Sequence, residues 1–441
     1  MPKIGLISLG CPKNQVDAEM MLAALESDGF EIVDYVDGAD AVIVNTCGFI
    51  DDAKKEAIEN ILDMIELKNE GIIKKIVVTG CLAQSQQFGI FKELPEVDAV
   101  AGIGANGRIA EIVRDTFLKS VVFDCPDQSE MPLEGQRLLT TPDYWAYLKI
   151  ADGCSNNCAY CAIPGIRGPF RSRPMESVLE EAKQLAGSGV KELILIAQDT
   201  TGYGADLYGG LKLPALLNML CEIDGIEWIR LLYCYPDKVT DELIDVMAKQ
   251  PKVLHYMDLP LQHADDAILN AMGRKGTQED IRQLIERLRE RIPDIVIRTT
   301  FMVGFPGESE REFEVLAEFV NEMEFDRLGC FGFSPQEGTP AFDMDGQLDD
   351  GTKLRRGEII MEDQHAIVLE KNLARIGKTY TALVEAYDAY SDSYAGRSYM
   401  DAPEIDGLIY FTSKKELEPG DFAEVEIVDV REYDLLGKSE S

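Results

Sequence analysis

Short apolar runs alternate with amphipathic stretches along most of the chain, and this alternation predicts its secondary structure. Up to about Arg137, the apolar runs are Lys3–Leu9, Ala41–Asn45 and Lys75–Thr79. Helical spacing follows the first two runs, over Asp17–Asp28 and Asp52–Lys68. Strands that are apolar on both faces and joined by helices are typical of a parallel sheet. We therefore expect residues 1–137 to form an N-terminal α/β domain around a parallel sheet.

The same alternation continues after a linker-like stretch, Cys125–Pro142, which is rich in Pro, Asp, Glu and Gly. Six further strands are predicted at Tyr144–Ile150, Glu192–Ala197, Trp228–Tyr235, Tyr256–Leu261, Val296–Val303 and Arg327–Ser334. A long charged helix, Thr352–Ile376, then closes this part of the chain. Six βα units in series favour a barrel or partial (β/α)6 barrel over residues 138–376, with its site at the carboxyl ends of the strands.

Residues 377–441 show a different pattern. Polar and apolar positions alternate over Tyr380–Tyr387, Leu408–Thr412 and Phe422–Val430, and turn-forming Gly, Asp and Pro separate these stretches. The pattern predicts a small all-β barrel or sandwich. The predicted fold class is therefore α/β, with two α/β domains followed by a small all-β domain.

The composition limits the classes of function. Of the 441 residues, 43 are Lys or Arg and 79 are Asp or Glu, so the formal net charge is −36. This charge argues against a protein that holds nucleic acid mainly through its phosphates, because such binding needs Lys and Arg. No apolar stretch approaches the ~18 residues that span a bilayer, and no signal-peptide core follows the N-terminus. We expect a soluble, cytoplasmic protein with no membrane partner.

Three cysteines form a tight local motif directly after the first strand of the second segment. Cys154, Cys158 and Cys161 have C-x3-C-x2-C spacing, and in a reducing compartment clustered cysteines indicate a metal or catalytic site. Three thiolates on one loop suit three irons of a four-iron cluster and leave the fourth iron open. A structural zinc site needs four ligands. The chain offers three histidines to complete one: His255, His263 and His365. Zinc or a plain loop is the alternative.

This motif resembles the signature of the radical S-adenosylmethionine enzymes. The resemblance implies that the amino and carboxylate groups of S-adenosylmethionine chelate the open iron, and that reductive cleavage gives a 5′-deoxyadenosyl radical. It also implies that the aromatic residue before the third cysteine, Tyr160, packs near the adenine. A hydrophobic plug under the loop is an alternative that does not exclude this role.

A second trio of cysteines is not local. Cys11, Cys47 and Cys81 each follow the carboxyl end of one of the first three predicted strands. In an open parallel sheet these ends share one edge, where ligands bind. A glycine lies beside each cysteine and lets the backbone approach closely, namely Gly10, Gly48 and Gly80. The arrangement predicts a second cluster, and three buried small apolar side chains are the alternative.

With this trio, the chain resembles the methylthiotransferases within the radical S-adenosylmethionine enzymes. Their N-terminal domain carries a second four-iron cluster on three such cysteines, and they end in a small β-barrel called TRAM. The resemblance covers essentially the whole chain, and it implies two [4Fe-4S] clusters with S-adenosylmethionine as cofactor. The remaining cysteines match nothing in it and mostly indicate core positions: Cys125, Cys221, Cys234 and Cys330.

Strand ends of the predicted barrel supply further candidates. Resemblance to the family implies that Gln198 and Asp199 bind the amino group and ribose of S-adenosylmethionine, with a helix N-cap or turn as the alternative. It also implies that backbone from Met302 to Gly304 lines the adenine. Arg298 is a charge inside a strand otherwise fit for burial, so it needs an anionic partner. That partner is a carboxylate of the cofactor or substrate, or an internal salt bridge.

Two further features carry open alternatives. His263, at the end of the fourth barrel strand, is more typical of a hydrogen-bonded wall than of a catalytic base, and no acid–base residue is assigned. Arg167, Arg171 and Arg173 form a basic group beside the loop motif in an otherwise acidic chain. This group is a candidate for neutralising a cluster or a substrate carboxylate, and a solvated loop is the alternative.

The charge of the C-terminal segment helps to decide between a protein substrate and a nucleic-acid substrate. From Ile376 to Ser441 there are six Lys or Arg against fifteen Asp or Glu, which repels phosphate and complements a basic protein. The stretches Ser8–Asn14, Cys161–Gly168 and Gly396–Gly407 resemble the ribosomal-protein-modifying subgroup, which agrees with this. The resemblance implies methylthiolation of the β-carbon of an aspartate in a basic small-subunit ribosomal protein near the decoding centre, with one S-adenosylmethionine giving the methyl group and another the radical. The alternatives are an adenosine in transfer RNA, and a non-catalytic iron–sulfur or zinc protein that docks on ribosomes.

Overall fold

The first third of the chain forms an open parallel sheet with helices on both faces. The computed structural model describes residues 2–34, 36–119 and 121–440, and its first sheet has the order β2-β1-β3-β4-β5-β6. The elements are β1 (Lys3–Ser8), α1 (Pro12–Ser27), β2 (Glu31–Ile32), β3 (Ala41–Thr46), α2 (Asp51–Asn69), β4 (Lys75–Gly80), α3 (Cys81–Gln86), α4 (Gly89–Glu93), β5 (Ala99–Ala101), α5 (Ile109–Thr116) and β6 (Val122–Asp124). The predicted parallel sheet is confirmed.

Two apolar cores enclose this sheet, which explains why its strands are apolar on both faces. Ile43 of the central strand β3 packs with residues of α1 and α5 on one side. Val42 and Val44 pack with residues of α2 to α4 on the other side. Burial on both faces leaves the carboxyl ends of the strands as the accessible edge of the sheet.

The second segment forms a six-stranded parallel sheet in the order β14-β13-β12-β11-β10-β7, as expected for a partial barrel. Its elements are β7 (Trp145–Lys149), β8 (Ala151–Asp152), α6 (Ile163–Arg167), β9 (Arg171–Ser172), α7 (Met175–Gly187), β10 (Glu192–Ile196), α8 (Leu213–Cys221), β11 (Trp228–Leu231), α9 (Asp241–Lys249), β12 (Val253–Asp258), α10 (Asp266–Ala271), α11 (Gln278–Arg291), β13 (Val296–Val303), α12 (Glu310–Met323), β14 (Arg327–Gly332) and α13 (Asp350–Leu373). β8 and β9 pair with each other as a short antiparallel ribbon.

Some predicted bounds differ from the observed ones for local reasons. Helix α1 begins at Pro12 instead of Asp17, because Cys11 takes the N-cap position and proline suits the first helical position. Strand β11 ends at Leu231 instead of Tyr235. Tyr233 there has a φ of 60°, a left-handed conformation that a strand cannot contain.

The C-terminal segment is a closed barrel in the order β15-β16-β17-β19-β18, which confirms the predicted all-β domain. Its strands are β15 (Thr379–Asp388), β16 (Ser393–Arg397), β17 (Ile409–Ser413), β18 (Phe422–Arg431) and β19 (Asp434–Ser439). All neighbouring pairs are antiparallel except β17 with β19. Closure leaves no free sheet edge.

This barrel shares one apolar core with the inward face of the second sheet. Tyr256 of β12 belongs to the same cluster of buried residues as Met400 and Phe411 of the C-terminal barrel. Trp228 packs edge-on against Phe422, with ring centroids 5.0 Å apart. The C-terminal barrel therefore covers the face of the second sheet that its own helices leave open. In the described ranges, no helix combines the length and apolar character that crossing a bilayer requires.

Candidate functional site

Cys11, Cys47 and Cys81 lie together at one edge of the first sheet, as predicted. Strands β1, β3 and β4 are neighbours, and the register pairs Ser8 with Asn45 and Thr46 with Gly80. Cys47 and Cys81 directly follow the last pair, and Cys11 lies three residues beyond β1. The parallel register therefore brings three cysteines that are far apart in sequence to adjacent strand ends.

Two glycines allow these strand ends to touch. Gly10 has a φ of +94°, and a Cβ added to it would lie 2.7 Å from the Cβ of Cys47 and 3.0 Å from its sulfur. A Cβ added to Gly48 would lie 2.9 Å from the backbone of Leu82, the residue after Cys81. Any side chain at either position would push the three cysteine segments apart.

Side-chain amides and a hydroxyl tie the same strand ends together. The Asn14 amide donates to the carbonyls of Leu9, at 2.7 Å, and Thr46, at 3.3 Å. The Asn45 amide donates back to the Asn14 carbonyl at 2.8 Å. The Thr46 hydroxyl donates to the carbonyl of Thr79 at 2.5 Å. The cysteines are thus carried by a hydrogen-bonded frame, which limits their movement.

The three thiols differ in their electrostatic surroundings. Burial raises the pKa of Cys81 to about 11, and burial also raises the pKa of Cys47. Burial acts in the same direction on Cys11, but the positive charges of Lys13 and Arg167 outweigh it and the pKa of Cys11 is lowered. The site therefore favours the thiolate form most at Cys11, and thiolates are the form that ligates metal.

The other trio lies on the loop between β8 and α6, again as predicted from its position after a strand. The Cys154 N–H donates to the Gly168 carbonyl at 3.1 Å, and the Cys161 N–H donates to the Cys158 carbonyl at 3.1 Å. The Cys158 sulfur lies 3.4 Å from the hydroxyl of Tyr235. Burial, with a smaller contribution from the neighbouring Cys158 and Cys154, raises the pKa of Cys161 to about 12. The loop is thus closed on itself with its thiols near one another.

The donor chemistry of both trios fits an iron–sulfur cluster. Each trio supplies thiols alone, which are the usual ligands of such clusters. In the described ranges, no three His, Cys, Asp or Glu side chains surround a single ion position. A single zinc ion would bring its sulfur ligands to within ~4 Å of one another, since Zn–S bonds are about 2.3 Å. A four-iron cluster gives each cysteine its own iron and so accepts a wider spacing.

A cleft of about 510 Å³ lies between the loop trio and the segments that carry Cys47 and Cys81. Its lining includes Cys158 and Cys161 from the loop, and Gly48 and Gln84 from the segments that carry Cys47 and Cys81. Helix α6 begins two residues after Cys161, and its five residues rise about 7.5 Å. The loop trio therefore faces this cleft directly, and the segments that carry Cys47 and Cys81 border it through Gly48 and Gln84.

Three of the predicted cofactor-binding residues, Tyr160, Met302 and Gly304, have contacts within the protein. Tyr160 is buried in an apolar cluster that includes Met272 and Phe333, and Met302 packs against the same cluster. Tyr160 is thus a plug under the cysteine loop, the alternative that leaves an adenine contact open. Gly304 has a φ of +72°, and its N–H donates to Glu308 at 2.8 Å. The adenine contacts of Tyr160, Met302 and Gly304 stay predictions.

Gln198 and Asp199 lie two and three residues beyond the end of β10, and they differ in their hydrogen-bond partners. Asp199 caps the short 3-10 helix Thr200–Gly202, accepting from the Gly202 N–H at 2.9 Å, and it also pairs with Lys238. The carboxylate is therefore used internally, as the N-cap alternative expected. Within the described part of the chain, the buried Gln198 Oε1 has no hydrogen-bond partner. An unpaired buried acceptor fits a donor such as the amino group of S-adenosylmethionine.

Arg298 and His263 have internal partners. Arg298 donates to Asp258 at 2.9 Å and lies 3.5 Å from Asp406 of the C-terminal domain, which is the salt-bridge alternative. His263 is buried and its Nδ1 accepts from the Asp265 N–H at 3.0 Å. A cofactor contact of Arg298 stays a prediction. The Nε2 of His263 lies 3.4 Å from Glu308 and has no hydrogen-bond partner within the described part of the chain.

The predicted basic group splits into three different environments. Arg171 donates to the carbonyl of Ser129 at 2.7 Å, and Arg173 pairs with Glu181 at 2.5 Å. Arg167, expected beside the loop trio, reaches the N-terminal trio instead, where it pairs with Asp17 of α1 at 2.9 Å. The charged residues that accompany it were not singled out from the sequence: Lys13, Asp17, Lys149 and Asp152. Charged residues at otherwise buried positions of α1 and β7 were the available signal.

The four other cysteines pack in or against apolar cores, in line with the sequence interpretation. Cys234 is a member of the core of the second domain, and Cys221 and Cys330 pack against that core. Cys125 packs against one of the two cores of the first domain. None of these four residues lines the cleft between the trios.

Comparison with known families matches three consecutive parts of the chain. The Radical SAM superfamily matches residues 148–320, the Uncharacterized protein family UPF0004 matches residues 3–102, and the TRAM domain matches residues 376–439. These three matches follow the order of the three sheets. The exact domain bounds at 137/138 and 376/377 stay predictions.

Full-length relatives carry one shared name. A protein of Acetivibrio thermocellus named "Ribosomal protein uS12 methylthiotransferase RimO" is 49% identical, over 99% of this chain and 98% of its own length. A protein of the same name from Caldanaerobacter subterraneus subsp. tengcongensis is 50% identical, over 99% of this chain and 100% of its own. A third protein of this name, from Clostridioides difficile, is 46% identical over 99% of this chain and 98% of its own length.

Among solved structures, the radical S-adenosylmethionine methyltransferase TsrM from Kitasatospora setae has a similar fold. In its complex with tryptophan and aza-SAM it has a TM-score of 0.59 and 15% identity, and the match covers 78% of this chain and 75% of that one. At this identity the likeness concerns the fold alone.

Proposed function

Since this chain belongs to the RimO family of radical S-adenosylmethionine methylthiotransferases, and so to the enzymes that work with S-adenosylmethionine and an iron–sulfur cluster, we propose that it modifies ribosomal protein uS12. The modification is methylthiolation of the β-carbon of an aspartate near the decoding centre. Action on a ribosomal protein implies a cytoplasmic enzyme. The observation that carries this proposal is that a cleft lined by Cys158 and Cys161 is bordered on its other side by Gly48 and Gln84, from the segments that carry Cys47 and Cys81.

The proposal assigns one [4Fe-4S] cluster to each trio. Cys154, Cys158 and Cys161 would hold the cluster that binds S-adenosylmethionine, and Gln198 would receive its amino group. The N-terminal trio would hold the second: Cys11, Cys47 and Cys81. When bound, these groups supply radical and sulfur-transfer chemistry that no acid–base side chain offers at an unactivated C–H bond.

The remaining task of the chain is to position the substrate and exclude water. The ordered strand ends hold the N-terminal trio rigidly, and the loop trio is tied to Gly168 and Met272 by backbone hydrogen bonds. α2 closes one side of the cleft, since Lys54 donates to Gln336 and Asp51 accepts from the Ser334 hydroxyl at 3.1 Å. These contacts keep the two trios at a constant separation while a substrate residue lies between them.

The lining of the cleft supports a polypeptide substrate. Six residues with side-chain amides line it: Gln84, Gln86, Gln87, Gln128, Asn157 and Gln336. Amides offer both donors and acceptors, which match the N–H and C=O groups of a peptide. Among the described lining residues Lys54 is the single cation, and it is already engaged by Gln336 and Asp51. A nucleic-acid strand would require several free cations here.

Anaerobic iron and sulfide analysis tests the cluster assignment. We expect about eight irons per reconstituted chain, and about four when either trio is changed to alanine. The matched control is Cys221→Ala, because Cys221 packs against a core outside both trios. An unchanged iron content after triple replacement of Cys11, Cys47 and Cys81 would contradict the second cluster.

An assay with S-adenosylmethionine labelled in its methyl group tests the substrate. With a reductant, we expect the label in uS12 and a modified aspartate in its tryptic peptides. Cys158→Ala should abolish both the label and the formation of 5′-deoxyadenosine, because it removes a ligand of the first cluster. Label in transfer RNA but not in uS12 would establish the adenosine alternative. Absence of 5′-deoxyadenosine with a loaded wild-type chain would indicate a non-catalytic protein.

A further inference from the structure

Arg167 belongs to the second domain by sequence but contacts the first. It is the last residue of α6, the helix that follows the loop trio, and only 1% of it is exposed. Its guanidinium pairs with Asp152 at 2.9 Å and with Asp17 of α1 at 2.9 Å. It also donates to the Asn14 side-chain oxygen at 3.3 Å. One side chain thus joins the loop that carries one trio to the helix that starts at the other.

Asn14 extends this connection to the cysteines of the first domain. Its amide nitrogen donates to the carbonyl of Leu9 at 2.7 Å and of Thr46 at 3.3 Å, close before Cys11 and directly before Cys47. Arg167 binds the oxygen of the same amide and so fixes its orientation. Arg167 also acts directly on the thiols, since its charge opposes the rise that burial causes in the pKa of Cys81.

The charges buried at this junction do not balance without the cysteines. Three cations, Lys13, Lys149 and Arg167, meet two carboxylates, Asp17 and Asp152, and all five are at most 6% exposed. Lys149 pairs with both carboxylates, as Arg167 does, so Lys13 has no carboxylate of its own among the described residues. The next carboxylate towards Lys13, Asp258, pairs with Arg298.

An uncompensated buried charge is costly, and burial accordingly lowers the pKa of Lys13, so an anionic neighbour would stabilise its charged form. The Lys13 ammonium lies 3.1 Å from the centre of the Tyr233 ring, whose π-face compensates it in part. The remaining groups that face Lys13 and Arg167 are the thiols of Cys11 and Cys81. An iron–sulfur cluster on three thiolates would be the missing anion.

We propose that Arg167, supported by Lys13, is a positioning residue for a cluster on Cys11, Cys47 and Cys81, and that it sets the reduction potential of that cluster. The inference rests on the proposed function, because it needs a cluster on this trio. Reduction adds an electron to an already anionic group, and a nearby positive charge favours the reduced form. Net charge and hydrogen bonding near the sulfurs are established determinants of cluster potential.

The experiment isolates the N-terminal cluster in the full chain. Replacing Cys154, Cys158 and Cys161 by alanine leaves one trio, and a redox titration followed by electron paramagnetic resonance then reports the midpoint potential of its cluster alone. In this parent, we expect Arg167→Gln to lower the midpoint potential, and Arg167→Lys to keep it near the parent value because the charge remains.

Arg173→Gln is the matched control. Arg173 is 2% exposed and lies on the same segment, but its partner is Glu181 and none of its contacts is a cysteine. It should leave the midpoint potential unchanged. A loss of iron in Arg167→Gln, with about four irons kept in Arg167→Lys and Arg173→Gln, would also support the proposal.

Three results would overturn it, and the third would also overturn part of the proposed function. An unshifted midpoint potential in Arg167→Gln at full iron content excludes electrostatic control by this residue. Equal loss of iron in all three arginine variants means that they only destabilise the fold. A parent that binds no iron, while the unmodified chain binds about four, instead refutes the second cluster of the proposed function and this inference with it.

Discussion

At the scale of single residues, the site depends on positions where no side chain fits. Gly10 combines a left-handed φ of +94° with a neighbour, Cys47, that a Cβ would contact at 2.7 Å. Both effects act on the geometry of the N-terminal trio. The site also contains an unpaired polar atom. The side-chain oxygen of Gln198 is buried without a hydrogen-bond partner among the described residues, which indicates where a ligand group is expected.

Gly10→Ala should therefore disrupt the N-terminal trio. We expect iron to fall from about eight to about four per chain, because the strand ends must separate. The left-handed conformation alone costs roughly 1–2 kcal/mol of stability. Gly71→Ala is the control, since Gly71 has a φ of +78° but no heavy atom within 4 Å of an added Cβ. It should lose stability and keep its iron, and a similar iron loss in both would count against the steric explanation.

Gln198→Ala should weaken binding of S-adenosylmethionine. Loss of one hydrogen bond of about 1 kcal/mol corresponds to a roughly fivefold higher Kd. Anaerobic calorimetry on the chain loaded with iron measures this directly. Gln184→Ala is the control, because the Gln184 amide donates to Glu180 on an exposed face of α7. Equal affinities of Gln198→Ala and the wild type would remove Gln198 from the cofactor site.

At the scale of elements, a buried ion network joins the second sheet to the C-terminal barrel. Glu192 of β10 pairs with Arg230 of β11 at 2.8 Å and with Arg397 of β16 at 2.8 Å. Burial acts to raise the pKa of Glu192, but the two guanidiniums outweigh it and the pKa is lowered. A carboxyl with a lowered pKa stabilises the fold above its ordinary pKa and loses that effect as the pH falls.

Glu192→Gln should then cost about 3–5 kcal/mol near neutral pH, because two buried arginines lose their partner. The difference from the wild type should be constant above about pH 5.5 and shrink as the pH falls through about 4.5 and below. Both tryptophans, Trp145 and Trp228, lie in the apolar core that the second sheet shares with the C-terminal barrel. Their fluorescence during urea unfolding therefore reports the loss of this core. Glu286→Gln on α11, an exposed position, is the control. A difference that grows on acidification would contradict the assignment.

At the scale of the whole molecule, the net charge of −36 affects how the protein associates with partners more than how it folds. The C-terminal domain concentrates it, with fifteen acidic against six basic residues from Ile376 onward. A basic ribosomal protein would be attracted to such a surface, and added salt would screen this attraction.

We expect the KM for uS12 to rise severalfold as salt increases from ~0.05 to ~0.3 M, with a smaller change in kcat, because the charges act on encounter. Replacing the exposed Glu416 and Glu418 by lysine should raise KM at low salt and flatten this dependence. The same reversal at the exposed Glu286 and Glu290 of α11 is the control. Equal effects of the two double variants would show that only net charge matters and not the C-terminal surface.

The sequence by itself determined the three kinds of sheet and the position of the cysteines on them. Strand ends are local features, and parallel strands place equivalent ends on one edge, so Cys11, Cys47 and Cys81 could be expected to meet. Likewise, six βα units in series indicated the partial barrel before any contact was known.

Only the tertiary structure decided the partners of the buried charges. Arg167 was expected beside the loop trio but pairs with Asp17, 150 residues away, and Arg298 has Asp406 of another domain as one of its partners. Hydrophobic periodicity is a property of neighbouring residues, whereas an ion pair depends on how whole domains pack. Burial then makes such pairing obligatory, because a charge removed from water must have a partner, but it does not specify which one.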